Sequence, residues 1–578
     1  MKKAIIPLMI RFSFLSILIG VVGLVAVSSA VFAGVLGLDN NPGWGRLRIA
    51  VLICGILMVM GAGFFFLFKD RLYRILEWIR PLLGNISTAT RKPGAGTAGF
   101  LKRYRFLTPV VTFVILLYIW LISSGTWTSW ISPTRYYANL ARGFRYGNLH
   151  IPTRPDPRLL ELPNPYDPSM RGAIEFPPDI SLYNGHYYLY WGPVPSLILL
   201  ALQPVYHGRI GDLFLVFGFV CGIFLFQVSL ATLVWDRFFN TLPRWILSMS
   251  VLLMGLAGPT PFILNNFYSA RIYEAAITGG QFFLIGGLLV AWTVFDGQSS
   301  PWRLALASTL WVLAIGTRFI LLIPTGLLSL LLVAWIVKRR SSMNKNVVGV
   351  ISVTLPLLFG IACLGWYNWA RFGSVVESGL YYQLAGWNIQ ESYGDLMDVR
   401  NIAQNIYNYL FNPFLVDAQF PFLFLDVGRQ EPAFSFLPPR PIYASQYITG
   451  LIYLTPFCLY AFVAMKIMSP DRVVGRNDPS PLKWISLALS GSSLAAFGFL
   501  MMFFWGAMRY MVDFMPSLML LAVIGYWQGS RALSRQPGHD RLYHAMGIVL
   551  SLASILISFL VGVSINDARF IVLHWFSN

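Results

Sequence analysis

Residues 304–340 read LALASTLWVLAIGTRFILLIPTGLLSLLLVAWIVKRR. From Leu304 to Val337 this run carries a single charge, Arg318 in Gly316-Thr317-Arg318-Phe319, and it ends on Lys338-Arg339-Arg340. An apolar run of about 20 residues is long enough to cross the hydrocarbon core of a bilayer as a helix. The stretch therefore predicts two spans, near 303–317 and 319–337. A basic cluster following a span marks the side on which Lys and Arg are retained.

Similar runs occur throughout the chain. They lie near 12–35, 49–68, 106–124, 210–234, 245–264, 272–295, 346–366, 447–467, 484–505, 512–529 and 544–566, which makes about thirteen spans with the first two. The fold class expected is an all-α polytopic membrane protein. Composition agrees: 56% of the chain is hydrophobic and 12% is charged, against about 25% charged in soluble domains. Mean hydropathy is +0.62, and Trp and Tyr gather at the ends of apolar runs, where interfacial belts form. The run Pro193–Tyr206 is too short to span, and Pro193, Pro195 and Pro204 shorten it further, so it predicts a re-entrant or interfacial helix.

The net charge is +19, but no basic stripe alternates with aromatics as a nucleic-acid surface would require, so no nucleic-acid partner is expected. The basic residues occupy short loops between spans. With the N-terminus inside, the whole excess falls on the inner side and the outer side is neutral, as the positive-inside rule requires. The main inner clusters are Lys69–Arg105 and Lys338–Lys345, with smaller ones at Lys466–Lys483 and Arg531–Arg541. Phe12–Val35 exceeds a signal-peptide core of roughly 7–15 residues and reads as a retained anchor, with Ala30-Val31-Phe32-Ala33 leaving cleavage open. Cys54, Cys221, Cys363 and Cys458 all sit in apolar runs without ligand spacing. Residues 1–100 read as a two-helix hairpin plus a basic linker containing Gly94-Ala95-Gly96-Thr97-Ala98-Gly99, and 101–578 as the main membrane domain.

Two long outer loops remain, near 125–192 and 367–446, and both are expected to carry short interfacial helices. Loops this long are usually functional or disordered, and their aromatic content argues against disorder. The first holds Asp156, Glu161, Asp167, Glu175 and Asp179. Asp179 opens a run through Tyr183, His186, Tyr187 and Tyr188 into Trp191-Gly192-Pro193. A carboxylate at a cavity mouth can take a proton from an attacking hydroxyl; the alternative is a solvated charge or an Asx-turn. Arg318 near membrane depth is either a functional cation, suited to phosphate by its planar fork, or an anchor that snorkels to the interface. Arg271 and Glu274, three apart in Arg271-Ile272-Tyr273-Glu274, suit a structural pair or a polar cavity lining. Arg509 and Asp513 show the i, i+4 spacing of an ion pair. The second loop, from Trp366-Tyr367-Asn368-Trp369-Ala370-Arg371 through Tyr381-Tyr382-Gln383, has the aromatic and amide side chains that suit sugar recognition. There is no Walker motif, dinucleotide fingerprint or HExxH, and the six histidines lack ligand spacing.

Taken together, Tyr136-Tyr137-Ala138-Asn139-Leu140-Ala141-Arg142-Gly143, Gly147-Asn148-Leu149, the Asp179-to-Pro195 run, Tyr273-Glu274, Gly316-Thr317-Arg318, Tyr367-to-Gly373 and Arg509-to-Phe514 resemble bacterial membrane glycosyltransferases of the GT-C fold. The closer resemblance is to family-39-like proteins, related to protein mannosyltransferases and the lipid A aminoarabinose transferase, over roughly 106–566. The resemblance implies a sugar donor on a polyprenyl phosphate and an active site on the periplasmic face of the bacterial inner membrane. It also implies an acid in the first outer loop that activates the acceptor and basic residues on the donor phosphate. On this basis Asp179, then Asp167, are the catalytic candidates, and Arg318 with Arg271 the donor-phosphate candidates. Tyr137, Tyr183, Tyr188, Tyr273, Glu274, Arg371, Gln383 and Arg509 are the expected cavity residues. A divalent cation is left open, as is the acceptor: lipid, glycan or protein. One departure stands out: where many members carry an acid just after the span before the loop, this chain has Ser132-Pro133-Thr134-Arg135. Two other classes compete, a polysaccharide polymerase or ligase that relies on arginines, and a solute or lipid transporter.

Overall fold

The computed structural model describes residue 51 and residues 103–202, 210–266, 270–296, 300–338, 342–432, 438–466 and 480–566. The chain divides into two compact units, Met1–Gly99 and Phe100–Asn578. The spans expected at 12–35 and 49–68, the 94–99 linker, and most of the basic clusters at 69–105 and 466–483 lie outside the described residues.

The second unit is a multi-pass helical membrane bundle. Among the described residues, seven helices are long and apolar enough to cross a membrane: Arg105–Ile122, Asp212–Phe239, Ile272–Phe295, Phe319–Lys338, Met343–Phe372, Ser480–Met502 and Gly538–Ser564. The expected count of about thirteen is larger, and the difference has local causes. Pro301–Ile315 is apolar but short. The run expected at 245–264 is split into Arg244–Leu256 and Thr260–Asn265 by Gly258, whose φ of +87° suits glycine, and by Pro259. The run at 447–467 is split into Leu451–Leu454, Pro456–Tyr460 and Ala461–Lys466, with Pro456 opening the second piece. The run expected at 512–529 appears as the helix Met515–Leu533.

Backbone groups freed by such breaks need partners where water is scarce. The last of the described helices, Pro537–Ser564, supplies them from one face. Ser558 Oγ accepts from Gly258 N–H at 2.8 Å and donates to the Leu454 carbonyl at 3.1 Å, while Ser554 Oγ accepts from Phe457 N–H at 3.1 Å. These serines sit four apart, so they share a helix face and serve both broken segments.

The bundle has two chemically different ends. At one end, Tyr104 Oη donates to Asp236 at 2.8 Å, Arg103 pairs with Asp236 at 2.5 Å, and Arg531 donates to the Phe238 carbonyl at 2.7 Å. At the other end, Asn566 donates to Ser124 Oγ at 3.1 Å. Asp212 N–H donates there to the Thr134 carbonyl at 3.1 Å, and Val194 N–H to the Gly316 carbonyl at 3.2 Å. The helix Val194–Leu202 thus begins at this second end. At 1.5 Å per residue its described length is roughly 13 Å, well short of a span.

The two long loops also lie at this end and are stitched together. The first contains the helix Tyr136–Arg145 and an antiparallel hairpin, Ser181–Tyr183 with His186–Tyr188. Asn184 and Gly185 both have positive φ at its turn, the conformation a two-residue type I′ turn requires. Ile180 accepts from Leu384 N–H at 2.8 Å, Ser181 bridges Gln383, and Arg171 donates to the Ala385 carbonyl. Short helical turns occur at Pro157–Leu160, Pro168–Arg171 and Ile389–Ser392.

Candidate functional site

Beneath the stitched loops lies a cavity of about 1180 Å³. It forms where helices are interrupted. The helix ending at Ile315 stops at Gly316, and Trp191-Gly192-Pro193 docks against that break. A Cβ on Gly192 would overlap the Gly316 carbonyl oxygen, so only glycine permits this approach.

Asp179 is the one carboxylate among the lining residues. Its φ of +59° is a left-handed conformation that a short polar side chain tolerates better than most. Gln383 Nε2 donates to its Oδ1 at 3.1 Å, and the Tyr273 hydroxyl is a second partner. Burial raises the pKa of its carboxyl above the ordinary value, against the opposing pull of Tyr273, Arg509 and Gln383.

Arg318 faces the same space. Its Nε and Nη2 donate to Asp513 Oδ1 and Oδ2 at 2.7 and 2.6 Å, a bidentate pair whose aspartate is fully buried. Its guanidinium carbon lies 5.3 Å from the Tyr510 ring. The pair uses two of the three guanidinium nitrogens and leaves Nη1. The spacing reading of Arg509 with Asp513 is thereby corrected: Met508–Asp513 is a 3-10 helix, and its tighter turn does not set residues four apart face to face. Arg509 instead stacks on Tyr273 at 4.7 Å and Tyr510 at 5.2 Å, and donates to Gln446 Oε1 at 2.7 Å. Among the described residues no carboxylate pairs with it.

Arg371 lines the cavity, but its donors are occupied by the Leu189 carbonyl at 2.7 Å, Asn368 Oδ1 at 2.8 Å and the Tyr367 carbonyl at 3.3 Å. It joins the first loop to the end of Met343–Phe372. Arg271 is fully buried outside the lining and donates to the Ile263 and Leu264 carbonyls at 2.6 and 3.2 Å, which the end of Thr260–Asn265 leaves free. This corrects its assignment as a phosphate ligand. Glu274 is buried, takes a bond from Asn266 at 3.3 Å, and does not line the cavity. Tyr137 is buried and is not among the lining residues, whereas Tyr183 and Tyr188 pack around Phe372 at 5.5 and 5.2 Å. Asp167 caps Pro168–Arg171: the Ser169 N–H and hydroxyl donate to it at 2.9 and 2.8 Å and hold its carboxyl below the usual range. It is an Asx-type cap remote from the cavity.

The cavity therefore gathers Asp179, Tyr273, Arg318, Arg371, Gln383 and Arg509. Sequence reasoning missed Asp212. Fully buried at the start of Asp212–Val234, it accepts from the N–H groups of Tyr136 and Tyr137 at 3.0 and 3.2 Å. It thus caps Tyr136–Arg145, whose own preceding residue is Arg135. An acid opening an apolar span was the signal. The stretch Ser132–Arg135 carries no acid of its own, and the helix after it is capped by a carboxylate from another helix, one committed to backbone. Among the described residues no group of three or more His, Cys, Asp or Glu side chains could hold a metal ion. A lining with one carboxylate among arginines does not fit a divalent cation.

Fold and site together define a multi-pass helical membrane protein with a loop-capped cavity that sets one carboxylate among guanidinium groups. No family model matches the chain, and no curated protein matches it. Solved structures similar to it include the oligosaccharyltransferase of Archaeoglobus fulgidus in the apo form, at 11% identity and a TM-score of 0.40 over 82% of this chain. The same organism's AglB in complex with an inhibitory peptide and a dolichol-phosphate gives 11% and 0.38 over 82%. The form tethered with an acceptor peptide containing the NVT sequon gives 12% and 0.37 over 83%. The chain spans 56% of the length of each.

Proposed function

We propose that this chain is a membrane glycosyltransferase, GT-C-like in fold, that moves a sugar from a polyprenyl phosphate to an acceptor hydroxyl. The observation that carries the reading is one cavity that holds Asp179, Arg318 and Arg509 and is also lined by apolar residues, among them Phe319, next in sequence to Arg318 and 69% exposed. Charged chemistry and an apolar flank thus meet at a single residue step. A lipid-linked phosphate needs both: guanidinium groups for its headgroup and lipid contact for its tail.

In this reading Asp179 accepts the proton of the acceptor hydroxyl as its oxygen bonds to the anomeric carbon. The bond from that carbon to the phosphate oxygen breaks, and the electron pair leaves with the phosphate. Arg318 Nη1 and Arg509 stabilise the charge that develops there, Arg509 taking the place first given to Arg271. A single displacement inverts the anomeric centre. Tyr273 and Gln383 hold the Asp179 carboxylate toward the cavity. The positive-inside rule puts the Arg103 and Arg531 end in the cytoplasm, hence the cavity on the outer face of a bacterial inner membrane.

The test is release of polyprenyl phosphate. Purified protein is mixed with pooled lipid-linked sugars and host membrane extract and followed by mass spectrometry. Release by wild type and loss in Asp179→Asn are expected. Equal release by both removes Asp179 from the mechanism and favours an arginine-based polymerase or ligase. No release from any pool overturns the lipid-linked donor.

A further inference from the structure

The second loop carries an antiparallel hairpin, Leu415–Val416 with Leu423–Phe424, in the run 411–426, FNPFLVDAQFPFLFLD. One side of it belongs to the site already described, since Phe424 and Leu425 line the cavity. The other side does not. Phe411, Leu415, Val416 and Phe422 are exposed together, Val416 at 75% and Leu415 at 51%. A cluster of large apolar side chains on a loop marks a contact surface.

The depth of the hairpin says what that contact is. Leu425 N–H donates to Ser564 Oγ at 3.1 Å, and Ser564 is the last residue of the span Gly538–Ser564. Asn412 accepts from Gly450 N–H at 2.7 Å and donates to the Ile448 carbonyl at 2.8 Å, directly before the helical segment opening at Leu451. The Phe414 ring meets Tyr453 of that segment at 6.2 Å. Ile452, Tyr453 and Leu459 are themselves exposed apolar residues, so the hairpin's outer side continues the lipid-facing surface of the bundle. Charge points the same way. Between Asn401 and Gly428 there is no Lys or Arg, and the acids are Asp417 and Asp426. Both bind local backbone: Asp417 accepts from Gln419 N–H at 2.9 Å and Asp426 from Val427 N–H at 2.8 Å. A loop surface facing water would carry mixed charges.

We propose that this hairpin is a membrane-interface anchor, with Leu415 and Val416 seated in the headgroup–acyl boundary of the leaflet at the cavity end. Its partner is phospholipid. It forms a thin wall with bilayer on one side and the cavity on the other. The inference rests on the bundle lying in a membrane and not on glycosyl transfer, so it stands or falls separately from the proposed function.

The full chain, with native cysteines replaced by alanine, is reconstituted into phosphatidylethanolamine–phosphatidylglycerol nanodiscs. Spin labels are placed at Val416→Cys, at Leu459→Cys as a lipid-facing reference, and at Tyr146→Cys as an aqueous reference. At 416 the ratio of oxygen to nickel-chelate collisions is expected to be several-fold above that at 146 and to approach that at 459. A nickel-dominated label, as at 146, overturns the proposal. So does an immobilised label shielded from both reagents, which indicates a protein partner or a second copy. Benzoylphenylalanine at position 416, in the native-cysteine background, gives an independent readout. A phospholipid adduct is expected, and a protein adduct alone overturns the inference.

Discussion

At Asp179 the backbone, the partners and the acidity point one way. Burial raises its carboxyl above the ordinary range, so the protonated form persists to higher pH and the acid limb of kcat/KM should lie above that range. Arg509 opposes the shift, so Arg509→Gln is expected to move the limb further up; an unmoved limb separates Arg509 from Asp179. The sign for stability follows. A raised pKa in the folded state favours folding at low pH, and that contribution is lost as pH rises through the folded value. Asp179→Asn should therefore cut turnover about 10²–10⁴-fold while Tm at neutral pH is equal to or above wild type. A fall in Tm would mean that the carboxylate has a structural role. Arg318 tests differently, because removing it strands the fully buried Asp513. Breaking a buried pair costs about 3–5 kcal/mol, so Arg318→Ala should lose both stability and turnover. Arg318→Ala with Asp513→Ala should recover stability but not activity. That Asp179 and Arg318 would line the cavity was legible because each interrupts a pattern: an acid before a proline-broken helix, a lone charge in 34 apolar-rich positions from Leu304 to Val337. Arg271 was misread because its partners are backbone carbonyls freed by a helix end at Asn265, and helical spacing cannot reveal that.

The elements that build the cavity are the broken ones. The segment Val194–Leu202 was legible from its prolines, and its seat against Gly316 explains why residue 192 is glycine. Gly192→Ala is expected to push the Trp191 segment away from Gly316-Thr317-Arg318 and to lower turnover at least as much as it lowers the yield of folded protein; unchanged turnover at normal abundance would show that the two segments move independently. The Asn184-Gly185 hairpin was also legible, since asparagine–glycine between alternating apolar residues signals a type I′ turn, yet the aromatic run drew attention to its side chains instead. The split helices were not legible in full. Pro259 and Pro456 announce breaks, but the serines that satisfy them lie on a different helix, about 100 to 300 residues away in sequence. Ser558→Ala should cost about 1–3 kcal/mol by leaving Gly258 N–H without its acceptor, read as a lower Tm with turnover retained below it. Ser229→Ala, on an exposed position whose hydroxyl bonds only its own helix, should leave Tm within error and serves as the control.

For the whole molecule the decisive quantity is which end faces the cytoplasm. Arg103 and Asn566 bound the main described unit and lie at opposite ends of it, because Arg103 is paired with Asp236 while Asn566 meets Ser124. That unit therefore crosses the bilayer an odd number of times. Lysine and arginine in short loops resist translocation, so the end that carries Arg103, Arg237, Arg531 and Arg535 is expected to face the cytoplasm. Cysteines at Tyr146 and Arg535 report on the two ends, both positions being exposed. In intact spheroplasts, a membrane-impermeant maleimide should label Tyr146→Cys at once and Arg535→Cys only after permeabilisation. The reverse pattern would put the cavity in the cytoplasm. A cytoplasmic cavity would have free access to nucleotide sugars and no need of a lipid carrier, so this labelling decides more than topology: it tests the premise on which a polyprenyl-phosphate donor rests.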